Sequence, residues 1–92
     1  MSKTALQGLK LSKYLIAQTN AQVEELLANK EKGDCIEYAE NHKDQNDLIS
    51  EIEHHLNKLK HAVIADDKDR IKEYSADVCN CTLFLMINKK AI

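Results

Sequence analysis

The stretch SEIEHHLNKLKHAV, Ser50 to Val63, decides the fold of this chain. It crowds two glutamates, three histidines and two lysines around a few apolar residues. Leu48, Ile52, Leu56, Leu59 and Val63 recur at spacings of four, four, three and four. That is one continuous apolar stripe on an α-helix, and it predicts a helix packed by this face onto a core. At about 100° of rotation per residue, His54 and His61 fall roughly opposite the stripe, where solvent is the expected environment. Glu51, His55 and Lys58 stand at i, i+4 and i+7 along one flank, and Ala62 extends the row. A flank is where a helix meets both its neighbour and any cleft between helices, so polar groups there can face inward without entering a dry core.

Composition supports a helical reading of the whole chain. Its 92 residues contain no proline and only two glycines, and proline is the residue that breaks helix interiors. Strand-forming β-branched and aromatic residues are sparse. The expected fold is all-α: a single domain over residues 1–92, built as a small helical bundle with a C-terminal antiparallel helix hairpin. So short a chain buries little more than half of its unfolded surface, which makes oligomerisation a reasonable way to complete the bundle. The formal charge of −2 is near neutral, and Lys10, Lys13, Lys30 and Lys32 are scattered rather than clustered. No basic stripe of the kind a nucleic-acid-binding module carries is present.

The three cysteines, Cys35, Cys79 and Cys81, cannot pair completely within one chain. No secretory leader is expected, because lysines interrupt every apolar run of MSKTALQGLKLSKYLIAQ. The longest apolar segment, VCNCTLFLMI, is too short to span a bilayer. Reduced structural thiols in a cytoplasmic protein are the simplest account.

Along the chain, Lys3 to about Ile16 reads as a helix with Leu6, Leu9, Leu15 and Ile16 on its inner side. Thr19, with Gln22 three residues on, resembles a capping box that opens a second segment, and Gly33 is a plausible stop. One bent helix or two fits this pattern equally. DCIEYAENHKD reads as a linker or short helical turn. Asp44 or Asn46 opens the next helix, which runs to about Ala65, and Asp66 or Asp67 caps the last one, which runs to about Lys89. The short ADDKD connection makes these two helices an antiparallel hairpin.

In the last helix Ile71, Tyr74, Val78, Thr82 and Leu85 form the inner stripe, with Glu73 and Asp77 on a flank. Carboxylates from two paired helices can converge on a hard divalent cation, so Glu51, His55, Glu73 and Asp77 are the candidate metal ligands. On spacing alone, a flank salt-bridge network involving Lys58 and Arg70 is the simpler alternative. Beyond Asp77 the helix is apolar almost all round. Leu83, Phe84, Met86 and Ile87 are therefore expected at the interface of a homodimer or larger oligomer.

EELLANKEKG, LISEIEHHLNKLKHAV and DKDRIKEYSADVCNCTLFLMI follow in an order that resembles the MazG-like, all-α nucleoside triphosphate pyrophosphohydrolases, over roughly Glu24 to Ile87. KLKHAV resembles the end of that family's acidic helix, and ADVCN its second motif. The resemblance implies an oligomeric helical bundle that binds Mg²⁺ through four acidic residues. It also implies cleavage of a nucleoside triphosphate to the monophosphate and pyrophosphate, with the cation neutralising the phosphates and activating water.

Carried over residue by residue, the first motif places its two glutamates on His55 and Lys58. The second keeps Asp77 but has Tyr74 where a glutamate is expected. Asn80 matches the family's asparagine, and Lys58 and Asn80 are the candidate nucleotide contacts. Glu51 and Glu73 lie close enough to act as displaced ligands, and histidine in the set shifts the preferred cation from Mg²⁺ toward Mn²⁺, Zn²⁺ or Fe²⁺. With three of four carboxylates replaced, the favoured expectation is a divergent MazG-like protein that binds a nucleotide or a protein partner without turnover, with no cofactor assigned. One alternative is an active pyrophosphohydrolase using Mg²⁺ or Mn²⁺ through displaced ligands. Another is an unrelated helical oligomeric interaction protein. Nothing points to nucleophilic catalysis, since no base is evident beside the cysteines, and the isolated glycines make no phosphate loop.

Overall fold

A computed structural model describes residues 2–29 and 35–92 as four α-helices. They are α1 (Lys3–Ala28), α2 (Cys35–Asn41), α3 (Gln45–Ile64) and α4 (Lys68–Asn88). The all-α expectation holds, and none of the described helices is long and apolar enough to cross a membrane. The stop expected at Gly33 lies outside the described residues. α1 is one continuous helix of 26 residues. Thr19 does not cap a second segment, because its hydroxyl donates back to the Leu15 carbonyl at 2.9 Å, inside the same helix.

The helix ends follow from local chemistry. Ser2, Asp44 and Asp67 cap α1, α3 and α4, each side-chain oxygen accepting from a backbone N–H of the first turn. α3 ends in a Schellman motif. Asp66 adopts a left-handed φ of 53°, its N–H donates to the Val63 carbonyl, and the Asp67 N–H donates to the Ala62 carbonyl. Asp66 therefore reverses the chain while Asp67 starts the next helix, which yields the tight hairpin expected from ADDKD. The same motif closes α4, with Lys90 as the left-handed residue.

α4 is the helix against which α1, α2 and α3 all pack. It was expected to be central, and two of the three surfaces that cover it, α1 and α2, belong to parts of its own chain that the apolar pattern did not assign. The buried apolar residues are Ala39, Leu48, Ala62, Ala76 and Cys81. Four of these five side chains are small, so the helices approach closely, and among the described residues only Leu48 is both large and fully buried. α3 is rotated from the expected orientation. Leu56 and Val63 remain 40% and 57% exposed, while Leu48 and Ala62 are buried and Glu51 and His55 are half-buried. The face toward α4 is thus turned by roughly 50° from the centre of the apolar stripe toward the polar row. On α4, Ile71, Tyr74, Val78 and Leu85 are half-buried, and Thr82 is exposed.

Polar contacts join the remaining elements. The Asn88 side chain donates to the Ala39 and His42 carbonyls, at 2.8 and 2.9 Å, and so ties the end of α2 to the end of α4. Tyr38 of α2 meets Phe84 edge-on, with ring centroids 5.9 Å apart. Phe84 therefore has a partner within the chain, Leu83 and Ile87 are half-buried, and Met86 is the most exposed of the four residues expected at an oligomer interface. Gln18 Nε2 lies 3.3 Å from Cys79 Sγ, and further along α1, Gln22 and Asn80 exchange two hydrogen bonds. The inner side expected for α1 is not inner. Leu6, Leu9, Leu15 and Ile16 are 45 to 61% exposed, because the helix docks through a polar row instead.

Candidate functional site

The row that docks α1 consists of Gln18, Gln22, Glu25 and Asn29, spaced four, three and four apart, which places them on one helix face. Glu25 is thereby carried to the flank of α4. Its carboxylate, with those of Glu73 and Asp77, forms a group whose oxygens all lie within 4.8 Å of one another. Glu73 and Asp77 reach this point because they are one turn apart on α4. The trio stands at the edge of a cleft of about 1010 Å³, formed where all four helices meet. Glu25, Leu27, Tyr38, Glu51, His55 and Asp77 are among the residues that line it.

Of the four expected ligands, Glu73, Asp77 and His55 are brought together. His55 Nδ1 lies 3.6 Å from Asp77 Oδ2, beyond hydrogen-bond distance. This nitrogen is buried and has no hydrogen-bond partner. Glu51 lines the same cleft but accepts a hydrogen bond from the Tyr38 hydroxyl at 3.0 Å. Burial, followed by this bond to Glu51, pushes the Tyr38 phenol up to about 12. Glu51 is therefore committed to fixing Tyr38, and Glu25 stands with the α4 carboxylates in its place.

Electrostatics make the site unstable as three bare carboxylates. Glu25 is held above the ordinary carboxyl range, first by desolvation, then by the charges of Asp77 and Glu73, and also by a hydrogen bond to Asp77. Such a bond needs a proton on one of the two acids. His55 is pushed the other way: burial first, then the charges of Lys58 and His54, hold its imidazole below the usual value and favour the neutral form. The unsatisfied imidazole nitrogen lies beside Asp77, whereas the ligand atoms within 4.8 Å of one another are the oxygens of the three carboxylates. That oxygen set fits a divalent cation, which would relieve the carboxylate repulsion, and the orphaned Nδ1 borders it.

The other candidates occupy distinct positions. Lys58 Nζ lies 5.6 Å from the centroid of the Tyr74 ring, a cation–π contact on the exposed side of the α3–α4 seam. Arg70 pairs with Asp67 within its own helix, and Lys72 pairs with Glu24 across the α1–α4 seam. Asn80 is 4% exposed at the cleft wall, and its amide is used twice: Oδ1 accepts from Gln22 Nε2 at 3.2 Å, and Nδ2 donates to the Gln22 carbonyl at 3.1 Å. It clamps α1 to α4. His54 and His61 are exposed, as expected, with His54 at the rim of the cleft. Cys35, Cys79 and Cys81 are free, and burial pushes the Cys81 thiol up to about 11, which removes it as a nucleophile near neutral pH.

Glu25, Gln22 and Tyr38 are the site residues that the sequence reading missed. The signal for the first two was present in the Gln18, Gln22, Glu25 and Asn29 row, a polar stripe on a helix otherwise rich in leucine. Nothing comparable marks Tyr38, whose role depends on where α2 lands.

Fold and cleft together define a small all-α bundle with an acidic, histidine-flanked site open to a cleft of about 1010 Å³. Comparison of the chain with protein-family models, with curated proteins and with solved structures returns no match.

Proposed function

We propose that this chain is a MazG-like, divalent-cation-dependent nucleotide-binding domain whose cleft supports cleavage of a nucleoside triphosphate to the monophosphate and pyrophosphate. The observation that carries the reading is the convergence of Glu25, Glu73 and Asp77 within 4.8 Å at the cleft edge. The shortage of carboxylates in the α3 motif argued for binding without turnover, and Glu25 from α1 supplies part of what that motif lacks. Glu25, Glu73 and Asp77 would hold Mg²⁺ or Mn²⁺, with His55 Nδ1 favouring the softer of the two. When bound, the cation supplies charge neutralisation for the phosphates and lowers the pKa of a coordinated water. Tyr38, fixed by Glu51 and braced on Phe84, offers an aromatic wall for a base. The free thiols and a buried Cys81 suit a reducing compartment, so we place the protein in the cytoplasm.

Binding without turnover remains the second reading, because His55, Lys58 and Tyr74 stand where the resemblance puts glutamates, and Lys58 brings a positive charge that lies against the Tyr74 ring. The test is pyrophosphate release from a panel of nucleoside triphosphates with Mg²⁺ and Mn²⁺, alongside calorimetry with the same nucleotides. Cation-dependent release that Asp77→Ala abolishes is the expected outcome. Nucleotide binding without release would move the protein to the second reading. Neither cation nor nucleotide binding would leave an unrelated helical protein.

A further inference from the structure

The outer face of α1 is a long, largely apolar surface that reaches the cleft only at its end, where Leu27 is part of the cleft lining. Leu9, Ile16 and Val23 repeat every seven residues, and Leu6 and Leu27 fall within the same sector, roughly 100° wide, which Lys13, Asn20 and Glu24 share. These five side chains are 45 to 61% exposed. They lie about 150° around the helix from the polar row that docks onto α4, and they span roughly 30 Å along the axis. A heptad stripe of this length is the pattern of a helix that pairs with another helix.

Two further observations say what covers it. The first is area. A compact monomer of 10.5 kDa exposes roughly 5400 Å², whereas this chain exposes 7166 Å². The excess, on the order of 1700 Å², belongs to the whole open surface and lies in the range that a permanent dimer buries per partner; half of the exposed large apolar side chains are on α1. The second is charge. The first half of α1 carries Lys3, Lys10 and Lys13 and no acidic residue, while its last turns carry Glu24 and Glu25 and no basic residue. This order opposes the helix macrodipole, which favours anions at the N-terminus and cations at the C-terminus. A second α1 lying antiparallel brings Lys10 and Lys13 of one copy toward the partner's Glu24, and its own dipole offsets the first. A parallel pair would instead stack Lys13 on Lys13.

The geometry points to an antiparallel pairing of two copies of this chain through the outer face of α1, crossing near Ile16, the middle of the stripe. The pairing is isologous, so each leucine of one copy finds the same stripe on the other. It is separate from the apolar end of α4, and of the stripe residues only Leu27 also lines the cleft.

Sedimentation velocity on the full chain at micromolar concentration tests this. The wild type should sediment as a dimer. Ile16→Glu, which places a charge in both halves of the crossing, should weaken the dimer by roughly a hundredfold while circular dichroism shows unchanged helix content. If Ile16→Glu loses helix content, Leu9→Gln with Val23→Gln is the milder substitute and should also give a folded monomer. Lys13→Glu should weaken the dimer, and adding Glu24→Lys to it should restore the affinity, which only the antiparallel arrangement explains. Four results would overturn the proposal: a monomeric wild type, a dimer that survives the α1 substitutions but is broken by Met86→Glu, a charge swap without rescue, or a monomer that instead co-sediments with phosphatidylglycerol vesicles.

Discussion

α1 and α4 are the two longest helices, of 26 and 21 residues, and the chain uses them in opposite ways. α4 is touched by every other helix and buries Ala76, Asn80 and Cys81. α1, with more leucine, buries no residue at all. Leucine content does not decide which helix is central. Small residues on α4 let its neighbours approach closely, whereas α1 is attached by amides and a carboxylate. The site inherits this contrast. Two of its carboxylates stand on the helix that every other helix packs against and the third, Glu25, on a helix that buries no residue, so a docking made through polar side chains completes the carboxylate group.

The contrast predicts its own largest effect. Leu48→Ala removes the one large, fully buried side chain and should cost about 2–5 kcal/mol in urea unfolding. Leu9→Ala, on the exposed face of α1, should stay within about 0.5 kcal/mol when measured too dilute for self-association. Equal losses at the two positions would mean that α1 is packed in solution as tightly as α3 and α4, and the comparison would fail.

These same elements explain how much of the molecule was legible in sequence. The α3–α4 hairpin was, because its caps, its turn and its apolar periodicity agree with one another. The central position of α4 was legible too, from residues that are apolar on every side. The environment of α1 was not. A leucine stripe reads identically whether it faces a core or a partner, and the choice rested on a polar row whose partner, Asn80, lies 58 residues away. The site was half legible for the same reason. Glu73, Asp77 and His55 share a hairpin whose register is local, while Glu25 arrives by a long-range docking that no spacing within α3 or α4 encodes. The roughly 50° rotation of α3 was also invisible. It comes from Ala62, a small residue that lets the polar row rather than the apolar stripe approach α4.

Gln22 gives the next effect in size and tests whether α1 docking controls the site. Gln22→Ala removes the donor to Asn80 Oδ1 and leaves that buried oxygen without it, a loss of about 1–3 kcal/mol. Gln22 is not a member of the carboxylate trio, yet cation affinity measured by Mn²⁺ titration should fall with it, because Glu25 moves with α1. Lys72→Ala is the control. It breaks an exposed bridge to Glu24 on the same seam, worth ~0–1 kcal/mol, and should leave the titration unchanged. If Lys72→Ala weakened the cation as much as Gln22→Ala, simple loss of seam contacts rather than placement of Glu25 would be responsible.

The smallest effect is a pH dependence, and its sign separates the two sides of the site. Glu25 holds its proton above the ordinary carboxyl value of 4.5, so the folded state binds that proton more tightly than the unfolded chain. Its contribution is fully present below 4.5 and is lost as pH rises through the folded value. His55 runs oppositely. Its folded value lies below 6.5, so its contribution is present above 6.5 and is lost as pH falls toward the folded value. A cation competes with both protons and should bind more tightly as pH rises, releasing protons as it does so. Urea midpoints between about pH 4 and 7, with and without Mg²⁺, should therefore show the carboxyl-side loss shrinking when the cation is present. Glu25→Gln should flatten the carboxyl-side loss while keeping the histidine-side gain. A wild-type slope retained in Glu25→Gln would mean that this carboxyl is solvated in solution. The third ligand would then have to come from elsewhere on the cleft wall, where Glu51 is the nearest alternative that the Tyr38 bond could release.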